Sequence, residues 1–254
     1  MDEEQILRSR VKDLAQRAYR NNTYTYTNFL TPAELTVVED IRNELSYIGY
    51  TVFGGSDTSE RCIIGFGSEN AFGYPPAFPI TILKVQPLID KFSDQLNHRD
   101  FLGAIMNLGI DRSVVGDILV KDNKRAYIYC LDSIADFIQD NLTKIKHTNV
   151  RCVALTETED LSELAPTLQD IRVIVSAPRF DAIVAAVTKT SRSEALSLFK
   201  GQKVILNGRV SERNSITLKE NDTFSVRGYG KYKYISSGGE TRKGRLYVNL
   251  QQYI

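Results

Sequence analysis

The tightest constraint on this chain is the element order that can be read through its last third. Phe180, Ile183, Val184 and Val187 recur at i, i+3, i+4 and i+7, one face of a helix. Ser191 and Glu194 form an S-x-x-E capping box that starts a second helix, with Ala195, Leu198 and Phe199 on its apolar side. Gly201 then suits a left-handed stop. Val204, Ile205 and Leu206 run into Asn207-Gly208, a dipeptide that tolerates the positive φ of a tight turn. Asn221-Asp222 marks a further turn, and residues 224–227 read as a strand. Two short helices on a small, strongly bent sheet satisfy this order.

Charge divides along the same line. Residues 179–254 hold 14 Lys+Arg against 6 Asp+Glu, a net +8, whereas residues 1–178 hold 18 against 25, a net −7. The total of +1 conceals the split. A basic module on an acidic body is the footprint of a nucleic-acid binder, because phosphates are attracted and their counterions released.

The stretches R-F-D, S-R-S-E-A, K-G-x-K-V-x-x-N-G and N-D-T-F-S-V-R-G, within residues 179–235, resemble the S4 RNA-binding domain. The resemblance implies an αL-type fold with an RNA surface on the second helix and the turn after it. Arg179, Ser191, Arg192, Ser193, Lys200, Lys203, Asn207 and Arg209 occupy the matching positions. Ser191 reads first as a cap and Asn207 first as a turn former. Arg192 and Lys203 read as phosphate contacts, Arg192 in a helix's first turn, where free N–H groups favour anions.

Arg227 and the tail extend the basic theme. Lys231 and Lys233 alternate with Tyr232 and Tyr234 on a strand period, which puts the tyrosines on one face, for stacking on bases or for a core. Gly238-Gly239 and Gly244 bracket Thr241-Arg242-Lys243, read as a flexible basic loop that ends at Arg245.

Upstream, residues 3–20 form a charged amphipathic helix, and Tyr24, Tyr26 and Phe29 an aromatic connector. Thr31-Pro32-Ala33-Glu34 opens a helix that runs to about residue 47 and stops at Gly49. Residues 51–53 and 61–66 read as a hairpin across Gly54-Gly55, and Pro75-Pro76 and Pro79 as a stiff linker.

Residues 80–155 predict strand 80–85, helix 100–108, strands 117–120 and 125–130, helix 133–145 and strand 150–155. That β-α-β-β-α-β order is the ferredoxin-like plan, which RRM domains share. Tyr127 and Tyr129 stand where an RRM carries stacking aromatics, but the glycine of that motif is absent, so core or interface packing is the favoured reading. The predicted class is α+β: an α-rich unit at 1–74, an RRM-like unit at 75–170 and an S4 unit at 179–254.

The run Asn97-His98-Arg99-Asp100-Phe101-Leu102-Gly103-Ala104-Ile105-Met106-Asn107-Leu108-Gly109-Ile110, with Arg112 and Val115-Gly116-Asp117-Ile118, is similar to the signature of the YlmH family. Gly54-Gly55, Glu60-Arg61 and the stretch from Thr241 to Arg245 fit it too. That resemblance implies a bacterial RNA-binding protein, found mainly in Gram-positive organisms. It implies rRNA or tRNA on the large ribosomal subunit as partner, rescue of stalled translation, and a link to cell division. A cytoplasmic monomer without cofactor is expected.

Enzyme classes fit less well. His98-Arg99-Asp100 lacks the Gly-rich loop, strand lysine and D-F-G of a kinase. A pseudouridine synthase has a residue between this arginine and aspartate and a catalytic domain after S4. A tyrosyl-tRNA synthetase needs H-I-G-H and K-M-S-K-S. The residues read instead with Asp100 as a helix cap and Arg99 paired to a carboxylate. A pseudouridine-synthase-like enzyme and an adaptor for the division machinery stand as alternatives. Cys62, Cys130 and Cys152 are odd in number and far apart, and only two histidines, His98 and His147, are present. Neither a disulfide framework nor a metal centre is expected. The N-terminus has no apolar signal region, and no apolar run reaches the length of a membrane span.

Overall fold

The computed structural model describes residues 3–155, 164 and 167–253. Two compact units, Met1–Leu164 and Ala165–Ile254, make up the chain. Both are mixed α+β with antiparallel sheets. No helix among the described residues is long and apolar enough to cross a membrane.

Helix α1 (Glu3–Asn21) buries Val11, Ala15 and Ala18 completely, at spacings that keep one face inward. Strand β1 (Thr25–Tyr26) follows. Helix α2 (Pro32–Asp40) begins with the capping box expected: Thr31 Oγ1 accepts from Glu34 N, and the Glu34 carboxylate accepts from Thr31 N at 2.7 Å. The helix does not reach residue 47. It tightens into a 3-10 turn over Arg42–Leu45, which keeps Ile41, Leu45 and Ile48 in the core, and the chain reverses at Gly49, φ 74°. Strands β2 (Tyr50–Phe53) and β3 (Ile63–Phe66) form the expected hairpin, and β1 pairs on the far side of β3. A single-turn helix α3 (Glu69–Phe72) ends this part. The proline stretch is packed, not free: the Phe78 ring lies 5.4 Å from Tyr26 and 5.3 Å from Phe53.

Next come β4 (Ile80–Pro87), α4 (His98–Met106), β5 (Val115–Lys121), β6 (Arg125–Leu131), α5 (Asp132–Asn141), β7 (Lys144–Ile145) and β8 (Thr148–Ala154). The sheet order is β5-β6-β4-β8-β7. Helix α5 ends at Asn141 and not at residue 145: Leu142 leaves helical geometry, with φ −83° and ψ 78°, and Lys146, φ 52°, turns β7 back along β8; Phe137 of α5 is 43% exposed. Both helices cover one face of the sheet, burying Leu83, Val85, Phe101, Ile105, Ile128 and Ile138.

The opposite face of that sheet is covered as well. Tyr129 packs with Phe29, in the segment after β1, and with Ile63 of β3, and only 1% of it is exposed. Gly55, φ 97°, lies against the Tyr129 ring so closely that a Cβ would run into it, and Gly116 is closed in the same way by Phe29. Asp117 accepts from Glu60 N at 2.7 Å and Arg61 N at 3.2 Å, while Arg61 donates to Val115 O and Phe29 O, each at 3.0 Å. Burial pushes Arg61 down, and Arg112 to about 10. Gly55, Arg61, Gly116 and Asp117 therefore rivet the N-terminal sheet to the middle one. The alternative of Tyr127 and Tyr129 stacking on RNA is excluded in this arrangement, since both are buried. All three thiols are free and buried, and burial raises Cys130 and Cys152 to about 12.

The second unit starts earlier than residue 179. Strand β9 (Leu168–Val175) pairs along its whole length with the last strand. Its period-2 apolar residues Ile171, Val173 and Val175 are the signal that the sequence reading passed over. The stretch from 156 to 163, placed in the middle unit from sequence, lies outside the described residues. Helices α6 (Phe180–Thr188) and α7 (Arg192–Lys200) follow, then β10 (Val204–Leu206), β11 (Arg209–Val210), β12 (Thr223–Val226), β13 (Gly230–Glu240) and β14 (Leu246–Tyr253). One sheet runs β11-β10-β12-β13-β14-β9. Phe180 meets Phe199 at 5.1 Å and Phe224 at 5.3 Å, both edge to face, in a core that also buries Tyr232 and Tyr234. Those two tyrosines are core residues, not a stacking platform.

Candidate nucleic-acid interface

The basic residues are held by the start and stop signals of α6 and α7. Ser191 caps α7: its Oγ accepts from Glu194 N, and the Glu194 carboxylate accepts from Ser191 N at 2.7 Å. That N–H holds the Glu194 carboxyl below its usual range. Ser193 Oγ lies 3.0 Å from Ser191 Oγ. At the other end, Gln202 N bonds Phe199 O and Lys203 N bonds Leu198 O, a Schellman motif. The left-handed residue is Gln202, φ 52°, and not Gly201, whose φ is −81°. A Cβ at Gly201 would stand 3.2 Å from Ser197 O, a tight contact.

Lys200 and Lys203 thus flank a rigid helix stop. Arg227 N donates to Lys203 O at 2.9 Å, which draws Arg227 alongside. All three are exposed, and no carboxylate pairs with them among the described residues. The structure brings Lys200, Lys203 and Arg227 together.

Arg179 and Arg192 are engaged differently. Asp181 is 1% exposed. Its carboxylate accepts from Arg179 Nε and Nη2, both at 3.2 Å, and from Arg192 Nε at 3.0 Å. The two guanidiniums remain half-exposed, but their orientation is set by a buried anion. Sequence reasoning missed this latch, although Asp181 is the third residue of the R-F-D stretch.

Asn207, φ 49°, and Gly208, φ 79°, make the two-residue β10–β11 turn, and the Asn207 amide bonds Asp222 and Thr223 N, each at 2.9 Å. Asn207 is committed to structure. Arg209 lies beyond it on β11, opposite Leu206. Lys231 sits on the sheet face away from the helices, its Nζ 5.3 Å from the Tyr253 ring centre. Gly238 and Gly239 lie within β13, so the basic loop is only the tip around Arg242, Lys243 and Arg245, all exposed. That tip is the far end of an 11-residue strand from Arg227, roughly 30 Å at strand rise. The sequence-derived residues therefore fall into separate places and do not form one patch.

In the first unit, Arg99, Lys144 and Lys146 line a cleft of about 560 Å³ beside α4. Asn97, and not Asp100, is the cap of α4; Asp100 is the third helical residue of the box and pairs with Lys146 at 2.7 Å, which holds its carboxyl below the usual range. The ion pair of this turn belongs to Asp100, not to Arg99. Replacing Asn97 by alanine is expected to cost about 1 kcal/mol, the worth of a cap, in denaturant unfolding.

Residues 76–159 match the family described as "Putative RNA-binding domain in YlmH". The chain carries a YlmH-family domain. Similarity extends well beyond it: the chain is 29% identical over 244 residues to the ribosome-associated protein quality control protein P2 of Bacillus subtilis, covering 95% of this chain and 91% of that protein. A solved structure, the cell division protein ylmH from Streptococcus pneumoniae, is similar at 22% identity and a TM-score of 0.49, over 63% of this chain and 96% of that one. The YlmH resemblance read from residues 54–61, 97–118 and 241–245 stands.

Proposed function

We propose that this protein binds structured RNA on the ribosome and performs no chemistry on it. The observation that carries the reading is electrostatic. The unit from residue 165 onward holds 15 Lys+Arg against 7 Asp+Glu, and its exposed Lys200, Lys203 and Arg227 cluster has no carboxylate among the described residues to neutralise it. Such a cluster gains affinity by releasing counterions from phosphate. The relative in Bacillus subtilis, named for ribosome-associated quality control, supports the ribosome as the setting.

In this reading the C-terminal unit is an S4 domain whose RNA face is centred on the end of α7. The middle unit is RRM-like, with the strand order β5-β6-β4-β8 of the split βαβ plan. Its sheet is closed by the N-terminal strands, so its RNA contacts come from elsewhere, with Arg99, Lys144 and Lys146 as the basic candidates. The RNA is rRNA of the large subunit, with tRNA held there as the second candidate, and the protein acts as a cytoplasmic monomer in translation or ribosome rescue. The non-enzymatic reading draws support from Asp100. It serves the α4 capping box and the Lys146 pair, and so is not a free nucleophile.

Changing Lys200, Lys203 and Arg227 together to glutamate should weaken binding to purified large-subunit rRNA roughly 100-fold in filter binding. It should also lower the slope of log affinity against log salt by about 3, near one per lost phosphate contact. All three side chains are exposed, so circular dichroism should be unchanged. Unchanged affinity in a folded variant would remove this surface from the RNA interface.

A further inference from the structure

We propose that the outer face of the C-terminal sheet is a second nucleic-acid surface, one fitted to single-stranded RNA. The inference rests on the reading that this unit meets RNA, but it uses residues outside the α7 surface. Both helices pack on one side of the sheet, where Phe224, Tyr232, Tyr234, Val248 and Leu250 are buried. Strand alternation sends the intervening residues to the other side. Across β9, β14 and β13 the register places Arg172 opposite Asn249, Gln251 opposite Lys233, and Tyr253 opposite Lys231.

That side carries cations beside aromatic rings. The Arg172 guanidinium lies 5.5 Å over the Tyr247 ring, and Lys231 Nζ lies 5.3 Å over Tyr253. Arg172 is also aimed by a 2.9 Å bond from its Nε to Asn249 Oδ1, and the Asn249 amide is fixed in turn by Ser236. Lys233 adds a third cation on the same side. Asp170 is the one carboxylate of these three strands on this face, and it accepts from the Gln251 amide at 3.0 Å.

The composition selects the occupant. Positive charge calls for a polyanion. Tyrosine and arginine planes on a strand face offer stacking, which needs unpaired bases; a duplex hides its base faces. A protein partner would have to bring carboxylates to Arg172 on one side of the neutral strand β14 and to Lys231 and Lys233 on the other side, where a phosphate chain supplies anions throughout. Single-stranded RNA satisfies all three conditions. Its phosphates would follow Lys231, Lys233 and Arg172, and its bases would stack at Tyr247 and Tyr253.

The test uses the full chain with two fluorescent probes, an unstructured oligouridine and a stable RNA hairpin, read by anisotropy. Changing Tyr247 and Tyr253 together to alanine should weaken oligouridine binding at least 10-fold and leave hairpin binding unchanged. Lys233→Glu, which disturbs neither ring, should weaken oligouridine binding several-fold and flatten its salt dependence. The Lys200, Lys203 and Arg227 glutamate variant should lose the hairpin and keep oligouridine, which separates this surface from the α7 surface. Full oligouridine affinity in both the tyrosine variant and Lys233→Glu would overturn the proposal, even if hairpin binding at α7 holds.

Discussion

Phe180→Ala is expected to cost the C-terminal unit about 3–5 kcal/mol, the range for emptying a buried aromatic site. Phe180 is 0% exposed and stands between Phe199 of α7 and Phe224 of β12, touching both edge to face. Its loss removes the transfer energy of the ring and two aromatic contacts, and leaves a cavity bounded by a helix on one side and a sheet on the other. Neither wall can move in freely, because α6 is pinned at its start by Phe180 N to Ile216 O and Asp181 N to Asn214 O, both 2.8 Å. Domains are only about 5–15 kcal/mol stable, so this substitution takes a large share. The measurement is amide exchange across β10, β12 and β13, where protection should fall together. Phe180→Leu, which keeps most of the volume, should recover part of the loss. A cost below 1 kcal/mol for the alanine variant would mean that Phe180 is not central to this core.

Phe180 also shows what the sequence made legible. Local signals worked where the physics is local. The capping boxes at Thr31 and Ser191 and the Asn207-Gly208 turn form as their residues require. The two boxes join groups three residues apart, and the turn needs only the positive φ that Asn and Gly tolerate. The misreadings arose where a distant partner decides. Residues 142–145 read as the end of a helix, yet β7 forms because β8 is there to pair with it. Leu168–Val175 carries a strand period in Ile171, Val173 and Val175, but its partner β14 lies more than 70 residues later in the chain, so nothing local assigns it to the C-terminal sheet. Asp100 and Asn97 are both good caps, and only the geometry of the box assigns them.

The candidate site was legible in charge but not in arrangement. Sequence identified the basic residues of the C-terminal third, yet strand length alone puts Arg242, Lys243 and Arg245 far from Arg227. The period-2 alternation did separate Lys231 and Lys233 from Tyr232 and Tyr234, and the strand places the two pairs on opposite faces. Tyr247 and Arg172 did not enter the reading, because nothing within either local stretch announces that the two will stack across strands.

Arg192→Glu is expected to cost about 3 kcal/mol, and the reason bears on how the RNA face should be probed. From sequence, Arg192 is an exposed helix-start cation, and its reversal looks structurally silent. The structure ties it to Asp181, whose carboxylate is 1% exposed and depends on Arg179 and Arg192 for compensation. Removing one partner of a buried ion pair costs about 3–5 kcal/mol. Arg179 remains, and the two arginine side chains are half-exposed, which lowers the figure; the new carboxylate beside Asp181 raises it. Arg192→Gln, which can still donate a hydrogen bond, should cost about half as much. Replacing Asp181 and Arg192 together by asparagine and glutamine should cost less than the sum of the single changes, because neither charge is then stranded. Denaturant unfolding of the four proteins gives the coupling directly. If the single and double changes add, the latch does not exist as drawn, and Arg192 returns to the pool of free phosphate-binding cations. If they couple, loss of RNA binding in Arg192→Glu reports a damaged helix pair as much as a lost contact. The proposed phosphate-binding surface is then measured cleanly only at Lys200, Lys203 and Arg227, where no buried partner is left behind.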